Sequence, residues 1–246
     1  EQTKTKEVRK AGDQVQVVVD HNGIEITLEG SHLLLATGRK ANVENLGLDK
    51  ASVNYDRSGI AVDPRLRTST PKIFAIGDVT GGLQFTHMAG YDAGIVIRNA
   101  LFRLPSKVNH TSVPWVTYTN PELAQVGMNE ATARREIGDD IRVVKWDYAE
   151  NDRARAEGDT TGFIKVITTK KGRILGAGIV GRQAGELIGV WALAISKKMK
   201  IGAIAEMIMP YPTLGEISKR AAGAWYTPSL FSDKTRKLVR FLLKFA

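Results

Sequence analysis

Two short apolar runs, Leu33-Leu34-Leu35-Ala36-Thr37 and Ile73-Phe74-Ala75-Ile76, each stop at a glycine, Gly38 and Gly77. A continuous apolar run of this length ending in glycine is the pattern of a strand covered on both faces, which puts α/β sheet structure in the first part of the chain. A hairpin is predicted ahead of the first run, where Val15 to Val19 and Ile24 to Leu28 flank the turn Asp20-His21-Asn22-Gly23. Gly38 to Ser69 reads as loop-rich. After the second run, Thr86 to Leu104 carries apolar residues at helical spacing, with Thr86 as N-cap and Pro105 just past the end.

Near Ser106 to Thr111 the pattern changes, and a domain boundary is expected there. Beyond it Trp115 to Tyr118 and Ile141 to Trp146 read as strands, with a helix over Asn129 to Glu136. Phe163 to Thr168 and Ile174 to Val180 form a hairpin around Lys170-Lys171-Gly172. Helices are predicted over Ala184 to Met199, Ile201 to Met209 and Leu214 to Ala224, with a break at Tyr211-Pro212. Strands and helices that do not strictly alternate make this second part an α+β domain.

Composition narrows the function. A chain of 246 residues, 43% hydrophobic and 25% charged, is long and apolar enough for one large or two modest folded domains. With no cysteine, structural disulfides, thiolate zinc sites and cysteine nucleophiles are excluded from this chain. The histidines are His21, His32, His87 and His110, a distribution that makes no histidine-rich metal site. Net charge is +9, but the basic residues are spread out except near the end, so nucleic-acid binding is not expected. The chain opens Glu1-Gln2-Thr3-Lys4 without Met or a charged-then-apolar leader, which fits a piece of a longer, cytoplasmic protein.

Gly176-Ala177-Gly178-Ile179-Val180-Gly181 matches G-x-G-x-x-G. A dinucleotide fingerprint opens a helix at its third glycine and has an acidic residue ~20 positions on. Here the strand runs through the glycines and the helix starts only near Ala184, so the match is rejected as a phosphate loop.

The string Thr68-Ser69-Thr70-Pro71-Lys72-Ile73-Phe74-Ala75-Ile76-Gly77-Asp78-Val79 carries more. A carboxylate just after an apolar run and a glycine sits at a sheet's carboxyl edge, where open α/β sheets bind ligands. Gly77 would let a ligand approach the backbone, and Asp78 could accept hydrogen bonds from ligand hydroxyls or serve only as a turn carboxylate. The whole string resembles the second FAD-binding motif of the class I pyridine nucleotide-disulfide oxidoreductases, the family of dihydrolipoamide dehydrogenase, glutathione reductase and mercuric reductase. Ala36-Thr37-Gly38-Arg39, followed by Asn42, resembles that family's crossover from the NAD(P) domain back to the FAD domain. Val113 to Gly127, with Trp115, Asn120-Pro121-Glu122 and Gly127, resembles the opening of its dimerisation domain. Gly162 to Val166 and Ile174 to Ile188 extend the likeness, which runs from about Ala36 to Ala222.

The resemblance implies a cofactor, FAD, with NAD(P)H as reductant in the parent protein. It implies that Asp78 holds the ribityl chain and that Thr86-His87-Met88-Ala89 places a helix N-terminus near the flavin pyrimidine ring. Such an end carries roughly +0.5 charge and suits a ring that becomes anionic on reduction; the backbone amides, rather than the His87 imidazole, take that role. Gly38, Arg39 and Gly77 complete the implied cofactor set.

Four segments follow from it: residues 1–37 as the end of the NAD(P)-binding domain, 38–108 as the end of the FAD-binding domain, 109–225 as the dimerisation domain, and 226–246 as a basic amphipathic tail. The implied partners are a second copy, making a homodimer, and a disulfide or small-molecule electron acceptor. The implied first FAD fingerprint, redox cysteine pair and NAD(P) loop are not in this sequence. A cofactor-free dimerisation module is therefore the competing reading.

One motif departs from the family. Its closing His-Pro-Thr with a Glu five residues after the His reads here Tyr211-Pro212-Thr213-Leu214-Gly215-Glu216. In family members that histidine exchanges protons with the thiols beside the partner's flavin. A tyrosine, with an ordinary pKa of ~10 against ~6.5, is a poor shuttle at neutral pH. Tyr211 could still donate a hydrogen bond to a thiolate or ligand, with Glu216 orienting it. Mercuric reductase resembles the chain here, but its C-terminal cysteine pair has no counterpart between Tyr226 and Ala246. The tail from Ser232 combines Lys and Arg with Leu238, Val239, Phe241, Leu242, Leu243 and Phe245. An amphipathic helix packed on the dimer is preferred over contact with an acidic membrane surface.

Overall fold

The computed structural model describes residues 2–245, which fall into two units divided between Ser106 and Lys107. The division lies at the near edge of the boundary expected from the sequence.

The first unit opens with an antiparallel meander, β1 (Thr3–Ala11), β2 (Gln14–His21) and β3 (Ile24–Gly30), in that order. His21 pairs with Ile24, leaving Asn22 and Gly23 as a two-residue loop. Both have positive φ, 54° and 84°, and the Gly23 amide donates to Asp20 Oδ1 at 2.8 Å. Two positive-φ residues give a hairpin turn whose twist matches its strands, which is why this sequence closes here. β1 has no counterpart in the sequence reading: Lys4, Lys6 and Lys10 break the apolar alternation, and every residue of the strand ahead of Ala11 is exposed.

Both apolar runs behave differently from expectation. Residues 33–37 form no strand, and Leu34 and Leu35 are 87% and 75% exposed. No described strand lies alongside to take their backbone hydrogen bonds, and a run suited to burial on both faces cannot hold a ladder alone. The 73–76 run makes only a short antiparallel contact with 66–68, bonding Thr68 N to Ile73 O at 3.0 Å and Ala75 N to Leu66 O at 3.2 Å. Ala75 is buried there, whereas Ile73 and Ile76 remain exposed.

Ala75 joins a small core with Ala41, Val43, Leu48, Val53 and Ile60. Ile60 comes from a two-residue hairpin, β4 (Tyr55–Asp56) and β5 (Gly59–Ile60). A 3-10 turn over Gly77–Thr80 leads to α1 (Thr86–Ala100). Thr86 is the first helical residue, and Phe85 holds the cap position without a side-chain bond, which corrects the expected N-cap. The helix ends four residues before Leu104, where Asn99 exchanges hydrogen bonds with the Ser106 backbone at 2.8 and 3.1 Å and folds the exit back.

The second unit is built on a five-stranded antiparallel sheet of β6 (Pro114–Thr117), β7 (Glu122–Gly127), β8 (Ile141–Asp147), β9 (Phe163–Thr169) and β10 (Ile174–Gly181), in the order β6-β7-β10-β9-β8. Side chains alternate between faces along a strand, so β9 sends Ile164 and Val166 to one side and Ile167 to the other. The first side holds the main core, with Tyr148, Trp191, Ala177, Ile179, Ile201 and Ile217 all buried. On the second side Ile167 packs with Ile141 and with Ala133 of α2 (Glu130–Ile137). Asn129 caps that helix by accepting the Thr132 amide at 2.8 Å.

The remaining helices are α3 (Asp152–Ala156), α4 (Ala184–Leu187), α5 (Gly189–Ser196), α6 (Ile201–Ala205), α7 (Glu216–Ala224), α8 (Thr227–Leu230) and α9 (Asp233–Leu242). The helix predicted over Ala184 to Met199 is thus two, and that over Ile201 to Met209 stops at Ala205. Met209 precedes Pro210, whose ring disfavours helical backbone at the residue before it.

The glycines of the 176–181 string lie inside β10. A Cβ on Gly176 would overlap the Met128 carbonyl oxygen, and one on Gly181 would lie 2.5 Å from the Tyr148 ring. These glycines admit neighbouring chain and a buried aromatic, which explains the motif without any phosphate.

Candidate functional site

In the first unit two of the residues singled out by sequence, Gly77 and Asp78, lie on one turn. Gly77 is buried with φ +66°, and a Cβ there would stand 2.8 Å from Ala89 Cβ. Its missing side chain makes room for α1. The Gly77 amide donates to Asp92 Oδ2 at 3.1 Å, and Asp92, in the second turn of α1, is only 4% exposed. Asp92 Oδ1 has no partner among the described residues.

Thr80 Oγ1 donates to Gly77 O at 2.8 Å and the Gly81 amide to Asp78 O at 3.1 Å, closing the turn. The β4–β5 hairpin presses on it from outside. A Cβ on Gly59 would come within 2.5 Å of Val79 O, and one on Gly81 would overlap Ser58 O. Held from both sides, the turn presents the Asp78 side chain exposed, with no hydrogen bond or ion pair to any described residue.

Five residues separate the turn from the start of α1. Met88 and Ala89 amides donate to Phe85 O at 3.0 and 3.3 Å and so complete the first turn of the helix. Thr86 and His87 occupy its first two positions, where the helix supplies no acceptor, and both are exposed. The His87 ring stacks on Phe85 with centroids 5.1 Å apart. Of the four residues expected to offer amides, Thr86 and His87 leave theirs open. Gly38, at φ +114°, and Arg39 lie on exposed chain, and no hydrogen bond links them to the Asp78 turn.

Tyr211 and Glu216 belong to the second unit. Tyr211 precedes a cis peptide bond to Pro212 and is 67% exposed. Its hydroxyl donates to Asp152 Oδ2 at 3.1 Å, so within the chain its hydrogen-bond partner is Asp152 and not Glu216. That bond and the Asp152 charge hold the phenol above its ordinary range, with Glu216 pushing the same way and Arg220 opposing.

The loop is fixed from below by Asn151, which is buried. Its Nδ2 donates to Thr213 O at 3.1 Å, and its Oδ1 accepts the Ala154 amide at 3.0 Å. Glu216, half-buried at the start of α7, lines a cleft of about 390 Å³ with Trp146, Lys219 and Arg220. Sequence reasoning missed Asn151 and Asp152. The available signal was Asn-Asp at a helix start, which marks a cap and says nothing of a loop 60 residues away.

Among the described residues no group of His, Asp and Glu could hold a metal ion, and no helix is long and apolar enough to cross a membrane.

Comparison with known proteins agrees along most of the chain. Residues 113–222 match the dimerisation domain of the pyridine nucleotide-disulphide oxidoreductases, and residues 1–93 match the pyridine nucleotide-disulphide oxidoreductase family. The dihydrolipoyl dehydrogenase of Bacillus subtilis (strain 168) is 37% identical over 88% of this chain and 46% of its own length. A mercuric reductase of Staphylococcus aureus is 36% identical over 88% of this chain and 40% of its own. Among solved structures, the Cu(II) complex of the HOCl-induced flavoprotein disulfide reductase RclA from Escherichia coli superposes with TM-score 0.81 at 31% identity, covering 90% of this chain and 50% of that one. LpdA from Mycobacterium tuberculosis gives TM-score 0.82 at 27% identity, covering 90% and 48%. The chain spans about half the length of the curated relatives it matches. With matches of one description over both units, the chain belongs to the pyridine nucleotide-disulphide oxidoreductase family.

Proposed function

We propose that this chain is the C-terminal half of an FAD-dependent oxidoreductase that passes electrons from NAD(P)H through FAD to a disulfide or another acceptor. The observation that carries the reading is the Asp78 turn: an exposed carboxylate without a partner, on a braced backbone, just ahead of a helix start with two open amides. Asp78 accepts hydrogen bonds from ribityl hydroxyls, and the Thr86 and His87 amides face the pyrimidine edge of the ring. Gly77 sets the turn, Met88 and Ala89 form the helix behind those amides, and Gly38 and Arg39 border the site at the domain crossover. When bound, FAD supplies two-electron transfer between the nicotinamide and the acceptor.

The exposed apolar residues of the first unit support the same reading. Leu34, Leu35, Ile76, Tyr91 and Ile97 are each exposed, as apolar side chains would be that the remainder of an FAD-binding domain covers. The four-part division, at residues 37, 108 and 225, follows from this assignment, as does a homodimer in the cytoplasm formed through residues 109–225. Tyr211, held by Asp152, would meet the acceptor as a hydrogen-bond donor rather than as a base, with Glu216 acting through the local charge.

The test is Asp78→Ala in the full-length protein. Loss of flavin absorbance from a dimer that stays folded supports the assignment. A wild-type dimer that is stable and colourless overturns it in favour of a cofactor-free dimerisation module.

A further inference from the structure

We propose that the C-terminal helix α9 is a surface anchor for a bilayer containing anionic lipid. The segment lies beyond the matched dimerisation domain, which ends at residue 222. It begins cleanly, with Ser232 as N-cap accepting the Thr235 amide at 3.3 Å and Thr235 Oγ1 donating to Ser229 O at 2.7 Å.

At 100° per residue, Leu238 and Leu242 fall along one side of α9, flanked by Phe241 and Val239, and Leu243 and Phe245 follow its end. Lys237 and Arg240 line the opposite side. Leu238, Val239, Phe241, Leu242, Leu243 and Phe245 are each about half exposed or more, and none belongs to a hydrophobic core of the unit. A short helix with a wide apolar face, a cationic opposite face and low overall hydropathy lies in the plane of a membrane interface, apolar side down.

Charge favours a membrane on that face over the dimer packing expected from the sequence. From Ser232 onward there are five cations, Lys234, Arg236, Lys237, Arg240 and Lys244, against one acid, Asp233. A second copy of the tail carries the same five cations and one acid, so two such tails meet with like charge. Lys234 projects toward the apolar side, a placement that a dry protein interface disfavours and a headgroup layer accommodates, because a lysine stem can lie along acyl chains while its ammonium reaches the phosphates. Basic residues at an anionic leaflet each add attraction that falls off within a screening length. The anchor does not depend on flavin binding.

The experiment is co-sedimentation of the full 246-residue chain with vesicles of equimolar phosphatidylglycerol and phosphatidylcholine, beside vesicles of phosphatidylcholine alone. Binding to the first and not to the second is expected, weakened when salt rises from about 0.1 M to about 1 M. Replacing Lys237 and Arg240 by Gln should weaken binding about 25-fold. Leu238→Ser with Leu242→Ser should weaken it by about tenfold or more at unchanged far-ultraviolet circular dichroism. No binding to anionic vesicles overturns the proposal, and so does binding that survives the serine pair, since that would be plain electrostatic adsorption. A serine pair that lowers the mass in sedimentation equilibrium while leaving vesicle binding intact assigns the face to the second copy instead.

Discussion

The Gly77 amide and the Asp92 carboxylate are joined at 3.1 Å across a buried contact, tying the turn that carries Asp78 to the second turn of α1. Two structural demands meet there. Gly77 needs positive φ and no side chain, and its N–H, cut off from water, needs an acceptor.

Asp92→Ala leaves that amide buried without an acceptor, at a cost of about 1–3 kcal/mol. Urea unfolding should register the loss, while Asp92→Asn, which keeps an acceptor oxygen, should be milder. Gly77→Ala should cost at least as much, because the methyl meets Ala89 and the backbone is left-handed there.

Trp191 Nε1 donates to Ser218 Oγ at 3.0 Å inside the main core of the second unit, where both residues are fully buried. Ser218→Ala is expected to destabilise that unit by about 1–3 kcal/mol, since the indole N–H finds no water in its place. The denaturation midpoint should fall with the slope unchanged.

Tyr211 should ionise above the ordinary ~10 of a tyrosine, because its hydroxyl cannot donate to Asp152 once deprotonated. The phenol is therefore protonated at every pH below that range, and activity that needs its proton should fall on the alkaline side only. Asp152→Asn should bring the titration down toward ~10, read as the tyrosinate absorbance that Tyr211→Phe removes. Under the proposed function, Tyr211→Phe in the full-length protein should slow turnover; equal rates for wild type, Tyr211→Phe and Tyr211→His would withdraw the role proposed for Tyr211.

Gly176→Ala should lower stability by about 1–3 kcal/mol or more through overlap with the Met128 carbonyl. A phosphate-loop role would instead lower nucleotide affinity at full stability. Thermal unfolding and a nucleotide titration separate the two.

The second unit was the more legible in sequence. β9 and β10 announce themselves as two runs around the turn Lys170-Lys171-Gly172, a local signal, and the helix expected over Asn129 to Glu136 is α2. The first unit was misread where a local signal depended on distant chain. The Leu33–Thr37 run has the composition of a two-sided strand, but a strand exists only with neighbours, and none is present among the described residues. β1 failed in the opposite sense, forming a strand whose charged, exposed residues carry no apolar period. At the site, Asp78 was readable because it follows a glycine after an apolar run. Asp92 and Asp152 were not, since each matters through a partner 15 or 59 residues away.

Asn151 gives the Tyr211 loop its reference point. One buried amide side chain grips α3 with its oxygen and the strand of chain after Pro212 with its nitrogen. The tyrosine tip and its aspartate therefore share a common mount, and a jolt to either is passed to the other through that one side chain as well as through their own hydrogen bond. Damage at position 151 would look, in an assay, like damage to the tip itself.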